Sequence, residues 1–439
     1  MKIVVIGGGP TGLRIADNLS KNQENEVFLY EKEDDMGGCW KVDWDDNLYK
    51  EHSPRVVTTG YTKTLELFKV LKVDVKELYG GRIGTSMMFA SYIFKNLSTL
   101  DLCKFLLSMY TIPKTDKRTV EEWINDNSMS ENGSNVIRKF SLSIGASERR
   151  MTAYCLFSAI SEGQGSKFLQ LVKNDEWIKK YESILNQRSN VEIFKNSKLN
   201  SIHGDSSVEY VMINKKKIEA DIFICAIPLY ALRSVLKSSD ESIQNNWGNY
   251  NKFKKYCIDS TYSGIGIQLH FDKEIPNPNT WTTPRFTDWC IEVLPISDYS
   301  DEFTKDKNVK SVWSCVIVDT YSKSKFLDKT ANDLKDINKV IDETIRQLEL
   351  CFNFKIYPYR TTVAKGVKYN TKIKMWDMEH SAFNPSKYGE LKSKGKIDNL
   401  YSVGPHNLYE ISALESALNS ADILVGEINQ FNINVPIEV

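Results

Sequence analysis

The sequence lacks the features that identify several classes of protein. Its 439 residues include 8 cysteines and 5 histidines. No two cysteines form a CxxC pair, and the histidines have no metal-ligand spacing. We therefore expect buried, reduced thiols, no metal site and a reducing, cytosol-like compartment. No apolar run approaches the roughly 20 residues that cross a bilayer. The four apolar residues 3–6 are too few for a signal peptide, so the sequence predicts a cytoplasmic protein with no membrane span.

An excess of charge of either sign is also missing. The chain has 57 basic and 57 acidic residues, which gives a formal net charge of zero. Such a balance provides no electrostatic footprint for nucleic acid or for an anionic membrane. The sequence therefore predicts no nucleic-acid partner, and it leaves the oligomeric state open.

A glycine-rich turn near the N-terminus carries the strongest functional signal. A short apolar strand over residues 3–6 runs into Gly7, Gly9 and Gly12, and an amphipathic stretch follows. In a dinucleotide-binding turn, such glycines permit a tight turn, close approach of a pyrophosphate and close helix–strand packing. A second strand ends at Glu31, whose carboxylate is able to accept hydrogen bonds from a ribose. Strand, glycines, helix, strand and acid in this order predict a dinucleotide site.

Two later segments extend the pattern. Gly37 and Gly38 follow the second strand, and paired glycines there allow the chain to run along a long, extended cofactor. An ordinary glycine turn is the alternative interpretation. Near the C-terminus, a strand runs into Gly404 and Pro405, and residues 411–430 have helical apolar spacing. A nicotinamide dinucleotide alone has no need of these segments.

The organisation along the chain indicates an α/β fold of two domains. We predict a Rossmann-type domain assembled from residues 1–60, 190–248 and 366–439. Residues 61–189 and 249–365 would form an α+β substrate domain, in which the first insertion is mostly helical and the second is rich in strands. A helix is expected at about residues 332–351.

Four motifs together resemble those of the FAD-dependent amine oxidase and phytoene desaturase superfamily. They are GGGPTG with its downstream acid, EKEDDMGGCW, DIFICAIPLYAL, and NLYSVGP followed by ALESALNSAD. The segment YKEHSPRVVTTGY is similar to the EHxxR segment of desaturase-type members, and GIGIQLHF is similar to a substrate-domain strand. The resemblance reaches from the first residues to about residue 430. The helical insertion matches nothing specific.

The resemblance implies a two-domain amine oxidase-like architecture and bound FAD, with hydride transfer from a small organic substrate to flavin N5. The reaction would be amine oxidation, or desaturation or isomerisation of a C–C bond. The implied cofactor-binding residues are Gly7, Gly9, Pro10, Thr11, Gly12, Glu31, Lys32, Gly37, Gly38, Trp40, Leu199, Ala226, Gly404, Ser412 and Leu414.

Candidate catalytic residues lie in the segments predicted beside the flavin: His52, Arg55 and His406. Arg55 offers charge-assisted donors to a substrate carboxylate or to the flavin, and a structural ion pair is the alternative. His406 is a candidate general base, and a hydrogen bond to the pyrophosphate or ribityl chain is its alternative. Tyr409 and Trp376 are candidates for an aromatic wall over the flavin. Ordinary core packing is the alternative for both residues.

The sequence departs from the family at several positions. The strand where many amine oxidases carry a lysine reads Gly264-Ile265-Gly266-Ile267, and Pro405 replaces an acid. Ser420-Ala421 replaces Ser-Gly, and no cysteine has the setting used for covalent flavin attachment. A second class is therefore kept open, a non-catalytic binding or scaffold protein of the same fold, like the GDP dissociation inhibitors of Rab GTPases. The intact glycine motif and Glu31 argue against it.

Overall fold

The computed structural model describes the chain except residues 79–92, 145–146, 163–165, 263, 276–286, 378–381, 384, 411–412 and 434–439. The strands in chain order are β1 (Lys2–Ile6), β2 (Glu26–Tyr30), β3 (Asp43–Asp45), β4 (Leu48–Lys50), β5 (Val56–Thr58), β6 (Val75–Glu77), β7 (Phe168–Leu171), β8 (Val191–Phe194), β9 (Leu199–Gly204), β10 (Val208–Ile213), β11 (Lys216–Ile218), β12 (Ile222–Cys225), β13 (Thr261–Tyr262), β14 (Ile265–Phe271), β15 (Ile291–Pro295), β16 (Ser311–Ile317), β17 (Arg360–Val363), β18 (Lys368–Asn370), β19 (Met375–Asp377), β20 (Ala382–Phe383) and β21 (Leu400–Ser402).

The described helices are α1 (Pro10–Leu19), α2 (Thr62–Leu71), α3 (Thr99–Thr111), α4 (Val120–Asp126), α5 (Glu131–Ser143), α6 (Ala153–Glu162), α7 (Glu176–Asn186), α8 (Leu229–Leu236), α9 (Glu241–Gln244), α10 (Tyr250–Asp259), α11 (Ile337–Phe352) and α12 (Leu414–Ile433). Short 3₁₀ turns connect several of them.

A five-stranded parallel sheet of order β21-β12-β1-β2-β8 organises the nucleotide-binding part of the chain. Strand β1 is buried on both faces, as expected for a continuous apolar run at the centre of a parallel sheet. Ile6, its last residue, pairs with Tyr30 on one side and Cys225 on the other. The carboxyl ends of three strands therefore meet at one edge, which is where open α/β sheets bind ligands.

Helices α1 and α12 pack side by side against this sheet and run in the same direction. Thr11 donates to the carbonyl oxygen of Ala417 over 3.4 Å. One turn further on, the guanidinium of Arg14 binds the carboxylate of Asp422, with Nε 2.7 Å from Oδ1. The two helices therefore present their N-termini at the same end, beside the loop that follows β1.

A second, antiparallel sheet has four strands in the order β15-β16-β14-β17. Alternate residues of its strands, among them Ile267, Val293 and Cys315, pack with helix α11 in one apolar cluster. The opposite face is more polar and includes Gln268, which is fully buried. Helices α3 to α6 form a separate apolar cluster around Trp123.

Two details differ from the sequence-based expectations. The helix expected from about residue 332 begins at Ile337, because Thr330 caps a separate 3₁₀ turn at Ala331–Asp333 and Asp336 caps the helix proper. The insertion 61–189 also holds strands β6 and β7, which join β5 in a three-stranded sheet. The mixed α/β fold with a Rossmann-type parallel sheet is confirmed; the division into two domains stays a prediction.

Candidate cofactor site

The turn between β1 and α1 is fixed by glycines at two of its three motif positions. Gly7 has a φ of 108°, and a Cβ built on it would lie 2.4 Å from the carbonyl oxygen of Ala226. A Cβ on Gly12 would lie 1.8 Å from the carbonyl oxygen of Gly7. Gly9 differs, because a Cβ there would meet only the Cα of Gly38, at 3.9 Å. Packing within the protein explains Gly7 and Gly12, whereas Gly9 leaves open space beside the turn.

The N-terminus of helix α1 opens toward that space. Gly9 is its N-cap and provides no side-chain cap, and Pro10 occupies the first turn. The amide N–H groups of Thr11 and Gly12 are in the first turn, where a helix supplies no carbonyl partner. These N–H groups and the positive end of the helix dipole form an anion-binding position of the kind that holds pyrophosphates.

Glu31 connects the end of β2 to the glycine turn. Its Oε2 accepts a hydrogen bond of 2.6 Å from the amide of Gly8, and its Oε1 accepts one of 2.9 Å from the amide of Glu33. Each carboxylate oxygen has a second lone pair, so these bonds orient Glu31 without exhausting its capacity to accept from a ribose. Lys32 lies beside it, exposed, with Nζ 3.2 Å from Oε1 of Glu33.

The second glycine pair packs directly against the first turn. The amide of Gly37 donates to the carbonyl oxygen of Gly8 over 2.8 Å. A Cβ on Gly38 would lie 3.2 Å from the Cα of Gly9. Both Gly37 and Gly38 have left-handed φ angles, 119° and 55°. The sequence-predicted glycines of two separate turns are thus brought together at one place.

Cys39 follows this pair and was not predicted from the sequence as a site residue. Its side chain is exposed to solvent, and yet the surrounding protein raises the pKa of the thiol by desolvation. The signal in the sequence was its place between Gly38 and Trp40.

The side chain of Arg55 stabilises the end of the turn that contains Gly37 and Gly38. Its guanidinium donates to the carbonyl oxygens of Trp40 and Lys41, the latter over 2.7 Å. Its Nε lies 3.3 Å from Oε2 of Glu51, and both side chains are almost fully buried. Tyr49 donates to the same Oε2 of Glu51 over 2.7 Å. These contacts occupy Arg55 with the protein itself, so the residue positions the Trp40 turn.

His52 lies where the antiparallel sheet meets the cofactor region. A Cβ on Gly266 would lie 2.5 Å from the carbonyl oxygen of Glu51 and 2.6 Å from that of His52. Gln268 joins the same contact, with its Nε2 donating to the carbonyl oxygen of Glu51 over 2.8 Å. Close approach of two backbones therefore explains a glycine at 266, near the position where many amine oxidases carry a lysine.

Gly404 and His406 follow β21, which is the outermost strand of the parallel sheet on the side of β12. The amide of Gly404 donates to Oδ1 of Asn407 over 2.8 Å, and a Cβ on Gly404 would lie 2.9 Å from the ring of His406. His406 is buried and its Nε2 lies 3.0 Å from the hydroxyl of Ser402. Burial lowers the pKa of this imidazole to about 3, which makes it a weak base at neutral pH. Ser412 lies outside the described residues.

The remaining candidates are placed as follows. Leu414 begins helix α12 and is buried in the apolar cluster that contains Ile3 and Leu13. Ala226 adjoins Gly7, whereas Leu199 starts β9 and packs in the core cluster that contains Tyr30. The two candidate wall aromatics are core residues: the indole of Trp376 donates to two backbone carbonyls, and the hydroxyl of Tyr409 to Thr152.

Within the described part of the chain, no three or more histidine, cysteine, aspartate or glutamate side chains lie together as metal ligands would. No described helix combines the length and apolar content needed to span a bilayer.

Comparison with known proteins gives three results. The family model described as NAD(P)-binding Rossmann-like domain matches residues 5–71. No curated protein sequence matches the chain. Among solved structures, an oxidoreductase from Methanosarcina mazei has a TM-score of 0.67 at 15% identity, covering 97% of this chain and 100% of its own.

Two amine oxidases are similar over the same extent. A putrescine oxidase solved with putrescine bound has a TM-score of 0.66 at 13% identity and covers 98% of this chain and 99% of its own. Cyclohexylamine oxidase from Brevibacterium oxydans has a TM-score of 0.63 at 11% identity, with the same coverage. The resemblance inferred from the motifs is therefore confirmed in the fold. Residues 5–71 are thus similar to an NAD(P)-binding Rossmann-like domain, and the chain has, over nearly its whole length, the fold of these amine oxidases.

Proposed function

We propose that the protein is an oxidoreductase that binds FAD and transfers hydride from a small organic substrate to the flavin N5. The observation that carries this proposal is the contact between the Gly9 turn and the Gly37-Gly38 turn. Side chains at these positions would fill the space beside the open N-terminus of helix α1. A cradle with two adjoining glycine turns suits a longer dinucleotide than NAD.

The residues present fit the adenosine and pyrophosphate half of FAD. The first-turn amides of Thr11 and Gly12 would hold the pyrophosphate, and Glu31 would accept from the ribose. The helix α12 N-terminus lies beside the same turn and adds a second positive dipole end. FAD, when bound, supplies the hydride-accepting ring, and the protein supplies orientation and exclusion of water.

The reactive half would lie toward Cys39, Trp40 and the Gly266–His52 contact. Arg55 acts there as a positioning residue, because its donors are used by the carbonyl oxygens of Trp40 and Lys41. His52 lies at the boundary of the antiparallel sheet, where a substrate would approach. His406, with its pKa near 3, is better suited to packing beneath Gly404 than to proton transfer.

Oxidation of a C–N bond is the reaction class we favour over desaturation or isomerisation of a C–C bond. Two of the similar structures are those of putrescine oxidase and cyclohexylamine oxidase, and each likeness covers 98% of this chain. The fold alone does not fix a reaction. The polar face of the antiparallel sheet supports a polar substrate.

The test is the absorption spectrum of the purified protein, before and after incubation with FAD. A yellow protein whose flavin is bleached anaerobically by amines, and not by polyenes, is the expected result. NADH in place of FAD serves as the control ligand. A protein that remains colourless after reconstitution with FAD would overturn the proposal, and a stable flavin that no substrate class bleaches would favour the scaffold alternative.

A further inference from the structure

Helix α3 carries a stripe of apolar side chains that are open to solvent. The stripe consists of Leu100, Cys103, Leu106, Leu107 and Tyr110. Leu100 and Leu107 are each 65% exposed, and Tyr110 is 73% exposed. A surface helix normally buries its apolar face, and a contiguous apolar patch left at the surface marks an interaction site.

The opposite face of α3 is already packed against its neighbours. The buried residues of the helix are Asp101, Phe105 and Ser108. The ring of Phe105 lies 5.3 Å from that of Phe157 on α6, measured between centroids. The hydroxyl of Ser108 accepts a hydrogen bond of 3.1 Å from the indole of Trp123. Because these contacts fix the rotation of the helix about its axis, α3 does not turn its exposed stripe inward without breaking them.

The spacing within the stripe suits a second helix. Its central positions follow the three- and four-residue intervals of a heptad: Leu100, Cys103, Leu107 and Tyr110. In an antiparallel pair of identical helices, Leu100 would meet Tyr110 of the partner subunit. Cys103 would likewise meet Leu107 of the partner subunit. The helix is therefore complementary to itself about a two-fold axis level with Phe105.

The charges of α3 favour a protein partner over a lipid surface. Helices that lie on membranes are rich in lysine and arginine on their polar face. Lys104 is the one basic residue in the sequence of α3, and its Nζ donates to the carbonyl oxygen of Ser128 over 3.1 Å. The stripe itself has no charged residue, and the whole chain has a formal net charge of zero, so two copies meet without strong repulsion.

We propose that the protein forms a homodimer in which the α3 helices of two copies pack antiparallel along this stripe. From the exposed fractions, the stripe offers roughly 500 Å² per copy and about 1,000 Å² in the pair, which is the lower limit for a specific interface. An interface of this size predicts a reversible dimer, whose population rises with protein concentration. The inference goes beyond the proposed function, because it does not depend on the cofactor.

The first experiment is analytical ultracentrifugation of the full chain over a wide range of protein concentration, with FAD in excess. Leu107→Glu places a charge at the centre of the seam. Leu350→Glu is the matched control, because Leu350 is 71% exposed on α11, outside the stripe. We expect Leu107→Glu to weaken dimerisation by about a hundredfold, since the dimer loses two buried leucines, and Leu350→Glu to leave it unchanged. Circular dichroism verifies that both variants are folded.

Thiol chemistry tests the direction of the paired helices. In the monomer, Cys39 and Cys103 are both exposed. Alkylation of Cys103 should slow as the protein concentration rises and the dimer forms, whereas that of Cys39 should not. Wild-type protein is then mixed with Cys103→Ser/Leu107→Cys and treated with a short bismaleimide. The expected product links Cys103 to the thiol at position 107, which joins two chains because neither chain carries both thiols.

Four results would overturn the proposal. A chain that is monomeric at every concentration has no such interface, and a dimer that tolerates Leu107→Glu uses another surface. A cross-link between two Cys103 thiols, without the mixed product, would show parallel helices. Monomeric protein that floats with phosphatidylcholine–phosphatidylglycerol vesicles, and does so no longer as Leu107→Glu, would assign the stripe to a lipid surface. A protein that binds no flavin would overturn the proposed function alone, and the same measurements on it decide this inference.

Discussion

Nε of Arg55 lies 3.3 Å from Oε2 of Glu51, in a place where neither side chain is more than 3% exposed. The same guanidinium binds the carbonyl oxygens of Trp40 and Lys41. The ion pair thus connects the turn that carries Cys39 to the segment that supports the antiparallel sheet. It joins two segments that would line the proposed active site.

Replacing Arg55 tests this connection. Arg55→Met leaves the Glu51 carboxylate buried without a cation, and we expect the free energy of unfolding to fall by about 3–5 kcal/mol. Urea denaturation measures it. Arg149→Met is the control, because Arg149 also pairs with an acid but is 74% exposed. An equal, small loss in both variants would show that the Arg55 contacts contribute little.

Substitution of glycines distinguishes cofactor binding from folding. Gly9→Ala introduces a methyl group that meets no protein atom closer than 3.9 Å, so the fold should persist while FAD retention falls by about tenfold or more. Gly12→Ala places its methyl group 1.8 Å from a carbonyl oxygen and should not fold. Gly426→Ala, with nothing within 4 Å, is the control. Retention of flavin by a folded Gly9→Ala would refute the assignment of this turn.

Thiol labelling is an independent test of where the cofactor binds. Of the eight cysteines, all free, Cys39 and Cys103 are exposed. FAD bound over the two glycine turns would cover Cys39 and leave Cys103 on helix α3 accessible. We expect added FAD to slow alkylation of Cys39 alone, as followed by peptide mass spectrometry. Protection of neither thiol, in protein that carries flavin, would move the cofactor away from Cys39.

Acid sensitivity should follow from two buried imidazoles. Burial lowers the pKa of His406 to about 3 and that of His270 to about 4. Between about pH 6.5 and pH 4, the unfolded chain binds protons at these sites and the folded chain does not. Stability is therefore lost as the pH falls, by about 1.4 kcal/mol per pH unit for each residue. His406→Asn or His270→Gln should flatten the pH dependence of urea unfolding by that amount; unchanged slopes would contradict it.

The sequence predicts the parallel sheet and the glycine turns because their chemistry is local. Gly9, Gly12 and Glu31 each act within one strand–turn–helix–strand unit, so their spacing alone carries the information. The role of Arg55 was left between two alternatives, since its acceptors are backbone carbonyls that any residue provides. The pair of Arg14 with Asp422, which joins α1 to α12, was not predicted. Its two residues are 408 positions apart, and nothing local to either one marks the other.

The pairing of β21 with β12 and of α12 with α1 also bears on biosynthesis. Arg14 and Asp422 are 408 positions apart in the chain, and they are direct partners. While the ribosome is still adding residues 226–399, the open edge of β12 has no neighbour, and exposed edges of this kind favour wrong pairing. Strand β21 must emerge before that edge is closed, and helix α12 must emerge before the second helix dipole arrives. The site for the proposed cofactor is therefore incomplete until residues 400–433 have been synthesised, and chaperone protection should be needed longest at β12.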